Sequence, residues 1–362
     1  MDFGLSEEQL LLQETLTRYL SESVPLGRVR EIAASETGHD PALWSSLAEL
    51  GIAGILAPET YGGSGLTMLD AVVAAETLGY HCTPAPFLSG VMASVALVRG
   101  GSDELQAEWL PRIASGEPAL AVAAGERVAR REGAGVRAHG DRLIGKALFA
   151  LDAPAAAGFL IAVDDGRLAV VTRSAAGLVV EPLTTIDEGR RVAELVLEDV
   201  PVDGWVGDAS GALTDAMIDA GRLVLAADTL GASQRALDLA VAYAGQRKQF
   251  DRVIGSFQSV KHLCAEMAAE LEPARSLLWY AGHAFDAVPN EAALVAAHAK
   301  AHLAEVGRFV VRAATEVHGG IGFTEECDVQ LFFKRVGLDR SLLGTPEQIR
   351  ERAAQLQGWV GA

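Results

Sequence analysis

Apolar residues recur at helical spacing over the first third of the chain. Ser6 stands before Glu7, Glu8 and Gln9, an N-cap followed by carboxylates in a first turn, where the helix dipole favours negative charge. Leu10, Leu11, Leu16, Tyr19 and Leu20 then follow at roughly helical intervals. A second helix is predicted from Pro41 to Leu50, with proline at an early position and Gly51 as its stop. Pro58 to Leu66 reads as a loop, because Gly62, Gly63 and Gly65 together cannot sustain a helix. Helical spacing returns from Met68 to Leu78 and from Asp103 to Ile113.

The period changes after Gly116. Short apolar runs broken by Gly and Asp, such as Phe159 to Val163, Leu168 to Thr172 and Glu194 to Glu198, predict strands. Asp164-Asp165-Gly166 between the first two is a hairpin signal. From about Gly211 the helical period resumes in longer units: Leu223, Ala227, Leu230, Gln234, Leu237, Val241 and Ala244 share one face. A further long helix is predicted from Asn290 to Val317, halted by Gly319 and Gly320. The expected architecture is α+β in three parts. These are an N-terminal all-α domain (1–117), a small middle β-barrel or sandwich domain (118–205) and a C-terminal four-helix bundle (206–362).

Charge and composition narrow the partners. The 362 residues are 50% apolar and carry a formal charge of −18, which repels phosphate backbones and anionic bilayers. Nucleic acid and membranes are therefore not expected partners. The longest nearly apolar stretch, Ala153 to Val163, is interrupted by Pro154 and Gly158 and falls short of the roughly 18–20 residues of a membrane span. The opening residues, Met1 to Glu8, have neither a basic region nor an apolar run of secretory type. Three widely spaced cysteines (Cys82, Cys264, Cys327) suit a reducing compartment, so a cytoplasmic protein without a disulfide framework is expected. No metal site is expected. The run Arg127, Arg130, Arg131, Glu132 reads as solvated surface.

Two segments carry specific chemistry. One runs from Arg247 to His262 and contains Gln249, Phe250, Gly255, Phe257 and Gln258; the other is Glu316-Val-His318-Gly319-Gly320-Ile-Gly322-Phe-Thr-Glu325. In this order, in this helical half, they resemble the acyl-CoA dehydrogenase flavoproteins. The Pro58-Glu-Thr-Tyr-Gly-Gly63 loop and the Gly231 to Asp238 helix support the same resemblance, which spans essentially the whole chain. It implies FAD as cofactor, an acyl-CoA substrate and an electron-transfer flavoprotein as electron acceptor. It further implies that Arg247, Gln249, Phe250, Gln258, Glu316, His318, Gly319 and Gly320 serve a FAD held mainly by a neighbouring homologous subunit, with Phe149 at the flavin ring.

The residue chemistry agrees. A planar guanidinium at Arg247 suits a pyrophosphate, and glycines admit close backbone approach. Gln258 lies 11 residues beyond Arg247, about three helical turns, so both can share a side if the Gly255 loop permits. Plainer readings stand beside these: Arg247 as a helix-end cation, Gly319-Gly320 as a helix stop, His318 as a packed histidine, and Phe250 and Phe257 as core residues holding the loop.

The chemistry of the family needs a carboxylate within reach of the substrate α-carbon. The resemblance places that base in a Tyr-Glu-Gly-Thr tetrad, which here reads Leu342-Leu343-Gly344-Thr345, or just before an Arg-Leu-Val-Leu-Ala run, where Gly221 stands. Both positions are vacant. Ala123 to Val128 replaces a hydroxyl-bearing flavin loop, Phe149-Ala-Leu151 replaces a Trp-Ile-Thr strand, and Glu316 replaces a usual glutamine that a phosphate would tolerate. A carboxylate there requires pairing with Arg247 or protonation. These absences resemble the shorter subunit of bacterial α2β2 acyl-CoA dehydrogenases of steroid-side-chain type. The alternatives are a homotetramer with a relocated base (Asp219, Asp228 or Asp339), a non-redox CoA-ester scaffold, and an oxygen-using flavoenzyme.

Overall fold

A computed structural model describes residues 4–129 and 131–360. The chain opens with α1 (Glu7–Ser23), α2 (Leu26–Ala33), α3 (Pro41–Glu49), α4 (Met68–Tyr80), α5 (Phe87–Gly100) and α6 (Asp103–Ala114). Ser6 accepts the Gln9 amide while Gln9 reaches back to Ser6, the reciprocal cap that the first residues predict. Asp40 caps α3, which has Pro41 in its first turn. The spacing misses α5 for a physical reason: Phe87 to Leu97 is buried on nearly every side, so no polar face marks its period.

The middle strands are β1 (Leu120–Ala123), β2 (Gly135–His139), β3 (Arg142–Leu151), β4 (Gly158–Ala162), β5 (Leu168–Thr172), β6 (Leu178–Leu183), β7 (Val192–Pro201) and β8 (Gly204–Val206), with the single turn α7 (Gly125–Val128) after β1. They hydrogen-bond as one eight-stranded sheet in the order β6-β7-β3-β1-β4-β5-β8, with β2 also on β3. β4 and β5 form the expected hairpin, turning at Gly166 with φ +95°. The β3–β7 register slips between Ala147 and Ala150, a bulge that holds Phe149.

The helical half comprises α8 (Ala212–Gln246), the ribbon β9 (Lys248–Gln249) and β10 (Arg252–Val253), α9 (Gln258–Ala287), α10 (Pro289–His318), α11 (Val329–Ser341) and α12 (Pro346–Leu356). α8 is about 52 Å long and its residues 217–233 are all buried, since α4, α5, α9, α10 and α11 surround it. Toward its end the predicted seam fails, because Val241 is half exposed. α4 and α8 cross at their glycines: a Cβ on Gly231 would lie 1.9 Å from the Glu76 carbonyl oxygen, and one on Gly79 2.3 Å from that of Asp228. Backbone cannot yield as a side-chain tip does. Gly231→Ala is therefore expected to cost about 2–4 kcal/mol, read as a lowered thermal midpoint with Gly245→Ala, which meets nothing within 4 Å, as the neutral control.

Candidate active-site cleft and cofactor-facing surface

A cleft of about 440 Å³ lies between the sheet and the helical half, bordered by Glu126, Arg131, Phe149, Leu151, Leu343 and Gln348. Phe149 has φ +56° and Leu343 φ +54°, so two bulky residues sit in the left-handed region in the wall of one cavity. Such conformations are costly for side chains of this size and persist only where surrounding structure enforces them. At Leu343 the enforcement is visible: buried Arg222 donates Nε–H to the Leu343 carbonyl at 3.0 Å, and its other arm pairs with Asp219 at 2.7 Å.

Gly221 and Leu343, distant in sequence, meet at one point. A Cβ on Gly221 would stand 2.5 Å from Leu343 Cδ1 and 2.6 Å from Met92 Sδ. The two positions at which the resemblance places a carboxylate thus converge, and leucine and methionine atoms fill the space between them. Leu151 is buried in the same wall and has no hydroxyl to offer. Arg131, read from the sequence as solvated surface, instead lays its guanidinium 4.5 Å over the Phe149 ring. Its neighbour Arg130 lies outside the described residues. The Phe149 ring thus carries a cation over one face, and the hydroxyl position beside it is apolar.

The three relocated-base candidates are elsewhere. Asp219 is locked between Arg222 and Arg352, the latter at 3.3 Å, and burial raises its pKa despite both cations. Asp228 and Asp339 belong to a buried ionic cluster with Asp187, Arg190, Arg335 and Lys300. Burial acts to raise Asp228, but Arg335 and Arg190 hold it below the ordinary carboxylate range. Burial, only partly countered by Arg190 and reinforced by Asp228, pushes Asp339 well up, and burial brings Lys300 down to about 7. None of the three borders the cleft. The carboxylate that does is Glu126, which sequence reasoning passed over as a site residue. Its Oε1 accepts the Leu148 amide at 2.8 Å, and burial raises its pKa against that bond. Its only signal in the sequence was its place in the altered flavin loop.

Apart from Phe149, the proposed FAD contacts lie outside this cleft. Arg247 ends α8 and is exposed, with no ion pair among the described residues. The chain then reverses through β9, β10 and a short 3-10 turn (Ile254–Ser256) before Gln258 opens α9. The count of three helical turns between Arg247 and Gln258 therefore does not apply, and chain reversal returns Gln258 toward the end of α8. The stacking of Tyr243 on His318, ring centroids 4.7 Å apart, ties the end of α8 to the end of α10. His318 is packed, its Nδ1 2.7 Å from the Ala314 carbonyl. Beyond it, Gly319 has φ +67° and ψ −144°, a glycine conformation, and a Cβ on Gly319 or Gly320 would meet nothing within 4 Å. Packing within this chain therefore leaves both glycines open to an approaching group.

Phe250 corrects the expectation of a core residue. It is 85% exposed at the tip of the β9–β10 ribbon with φ +52°, while Phe257 is half-buried beneath the Arg252 guanidinium. Gln249 and Glu316 are also exposed, and Glu316 makes no ion pair with Arg247. Glu316, Gly319 and Gly320 border a groove of about 830 Å³ together with Arg308, Arg312 and Phe323. The two open glycines thus border a groove that also carries Arg308 and Arg312.

Residues 6–117 match the acyl-CoA dehydrogenase N-terminal domain, and residues 211–356 match the acyl-CoA dehydrogenase C-terminal domain. The chain belongs to the acyl-CoA dehydrogenase family. Acyl-CoA dehydrogenase IpdE2 of Mycolicibacterium smegmatis is 32% identical over 354 residues, covering 97% of this chain and 100% of its own. Among solved structures, a chain of the ChsE4–ChsE5 complex from Mycobacterium tuberculosis matches with TM-score 0.91 and 30% identity, covering 100% of both chains. A chain of the Tcur3481–Tcur3483 steroid ACAD matches with TM-score 0.89 and 30% identity, covering 98% of both. The acyl-CoA dehydrogenase assignment brings with it an oxidoreductase that uses FAD. No helix among the described residues is long and apolar enough to cross a membrane.

Proposed function

We propose that this acyl-CoA dehydrogenase chain is the base-lacking subunit of a heterotetramer and helps to hold the FAD of a homologous partner subunit. The observation that carries the reading is the convergence of Gly221 and Leu343, a meeting point filled by apolar atoms with Met92 against it. The chemistry supplied by FAD, when bound, would be acceptance of a hydride from the substrate β-carbon. The residues of this chain would contribute placement: Arg247 would hold the pyrophosphate through its planar fork, with Gln249, Phe250 and Gln258 as further contacts, and Gly319 and Gly320 leave the backbone accessible. His318 acts at one remove, its stack on Tyr243 fixing the glycine turn relative to Arg247. Phe149 remains at the wall of this chain's own cleft. Both solved relatives named above pair two proteins in one assembly, and one is a steroid ACAD, which supports a partnered enzyme for a bulky, ring-bearing acyl-CoA. The acceptor proposed with it, an electron-transfer flavoprotein, follows from the family resemblance.

Leu343→Glu tests the reading. A carboxylate restored at the tetrad position is expected to give no acyl-CoA oxidation by the chain alone, because the flavin-facing wall is missing with the base. It is also expected to cost about 1–3 kcal/mol, since an unpaired carboxyl enters an apolar wall. Turnover by the purified variant, measured with an artificial electron acceptor, would instead establish an intact flavin site in this chain.

A further inference from the structure

The cleft that lacks a base is nonetheless built. Two bulky residues held at positive φ, Phe149 and Leu343, border it, and the β3 bulge exists at the point where Phe149 enters it. Strain of this kind collects at binding and catalytic sites, and its retention where no reaction can occur calls for another use. At about 440 Å³ the cavity is within the roughly 300–1,000 Å³ range of small-molecule sites.

Its lining defines a ligand. Val128, Leu151, Leu338, Leu342 and Leu343 supply apolar wall. Arg131 supplies a guanidinium, exposed, 4.5 Å from the centre of the Phe149 ring and without an ion pair among the described residues. A guanidinium over an aromatic ring with no carboxylate paired to it has N–H groups left to offer, and a guanidinium can meet a carboxylate through two parallel bonds. Glu126 is the one carboxylate in the lining, and one of its oxygens is already committed to the Leu148 amide. Arg131 is the one cation of the lining and Glu126 already feels its charge; one cation beside an apolar cavity suits one anionic head on an apolar body and does not suit a dinucleotide.

We infer that this cleft binds a small apolar carboxylate as a non-redox ligand, its head on Arg131 and its chain against Leu151 and Leu343. The assignment rests on the base-lacking reading proposed above. Octanoate is a suitable probe, added to the purified full chain or to its complex with a homologous subunit. Hydrogen exchange then reports on peptides of this chain alone. Protection is expected in the segments 124–131 and 341–348. Arg131→Ala is expected to weaken the apparent affinity about tenfold, and Leu343→Trp, which fills the apolar end, to abolish protection. Glu126→Gln keeps an oxygen for the Leu148 amide while removing the charge, so it is expected to tighten binding. A purely structural role for these residues would not move Arg131 and Glu126 variants in opposite directions.

Absent protection in a flavin-free chain, or equal affinity in all variants, overturns the ligand assignment. Flavin absorbance on the same sample keeps the two readings apart. Flavin bound in this cleft contradicts the FAD-lending role whatever octanoate does.

Discussion

Replacing Arg247 with alanine is expected to lower the flavin content of the assembled complex by at least tenfold while leaving this chain folded. Arg247 lies past the end of α8, exposed and unpaired among the described residues, so its removal strands no buried group and opens no cavity. What it loses is a fixed cation whose two N–H edges match a pyrophosphate. A hydrogen bond to a charged group contributes about 1.5–3 kcal/mol, which corresponds to roughly 10- to 150-fold in affinity. Arg247→Lys should retain part of the effect, since a point charge remains but the planar fork does not. Flavin absorbance per complex after desalting measures the loss. An unchanged thermal midpoint shows that the site and not the fold has been altered. Gly320→Ala is a companion test: its added Cβ meets nothing within 4 Å in this chain, so any loss of flavin it causes reflects what approaches from outside.

The largest stability effect is expected at Arg335. It is fully buried and binds Asp187 from the β6–β7 connection and Asp228 from α8, with Arg190 bridging Asp228 to Asp339. The cluster joins the sheet to the helical half, and the Cys82 carbonyl at 3.5 Å brings the N-terminal helices to the same point. Arg335→Leu leaves buried Asp187 with no ion-pair partner among the described residues, and Asp228 sharing Arg190 with Asp339. Removing one partner of a buried pair costs about 3–5 kcal/mol, because the charge left behind cannot reach water. A clear fall in the denaturant midpoint is the expected result, and loss of soluble chain is the extreme of the same effect. Replacing Arg335 and Asp187 together by leucine and asparagine should recover part of the loss, since fewer charges are then stranded; a double variant as poor as the single would mean that packing, not charge, dominates.

The parts of the fold that the sequence announces are those where one face is wet. Ser6 and Gln9, Asp40 and Pro41, the Asp164 to Gly166 turn and the Gly319 stop are local signals, and each is where its chemistry places it. The residues that escape sequence reasoning are governed by tertiary contacts. Helix α5 is wrapped on nearly all sides and shows no period, and α8 is buried all round through its centre, so one apolar seam understates it. Phe250 is an aromatic that reads as core and is instead offered to solvent on a ribbon tip. Arg131 reads as one charge in a run, yet its position over Phe149 depends on a bulge that no spacing encodes. The vacancy at Gly221 and Leu343 is legible residue by residue. Their contact, and the methionine packed against it, belongs to three-dimensional structure alone.

Flavin stoichiometry tests the central claim most directly. The purified chain by itself is predicted to carry no FAD and to oxidise no acyl-CoA. Co-expressed with a homologous subunit that has the tetrad glutamate, it is predicted to yield an active complex with one FAD for every two chains. One FAD per chain in a preparation of this chain alone, with acyl-CoA oxidation, would contradict the account.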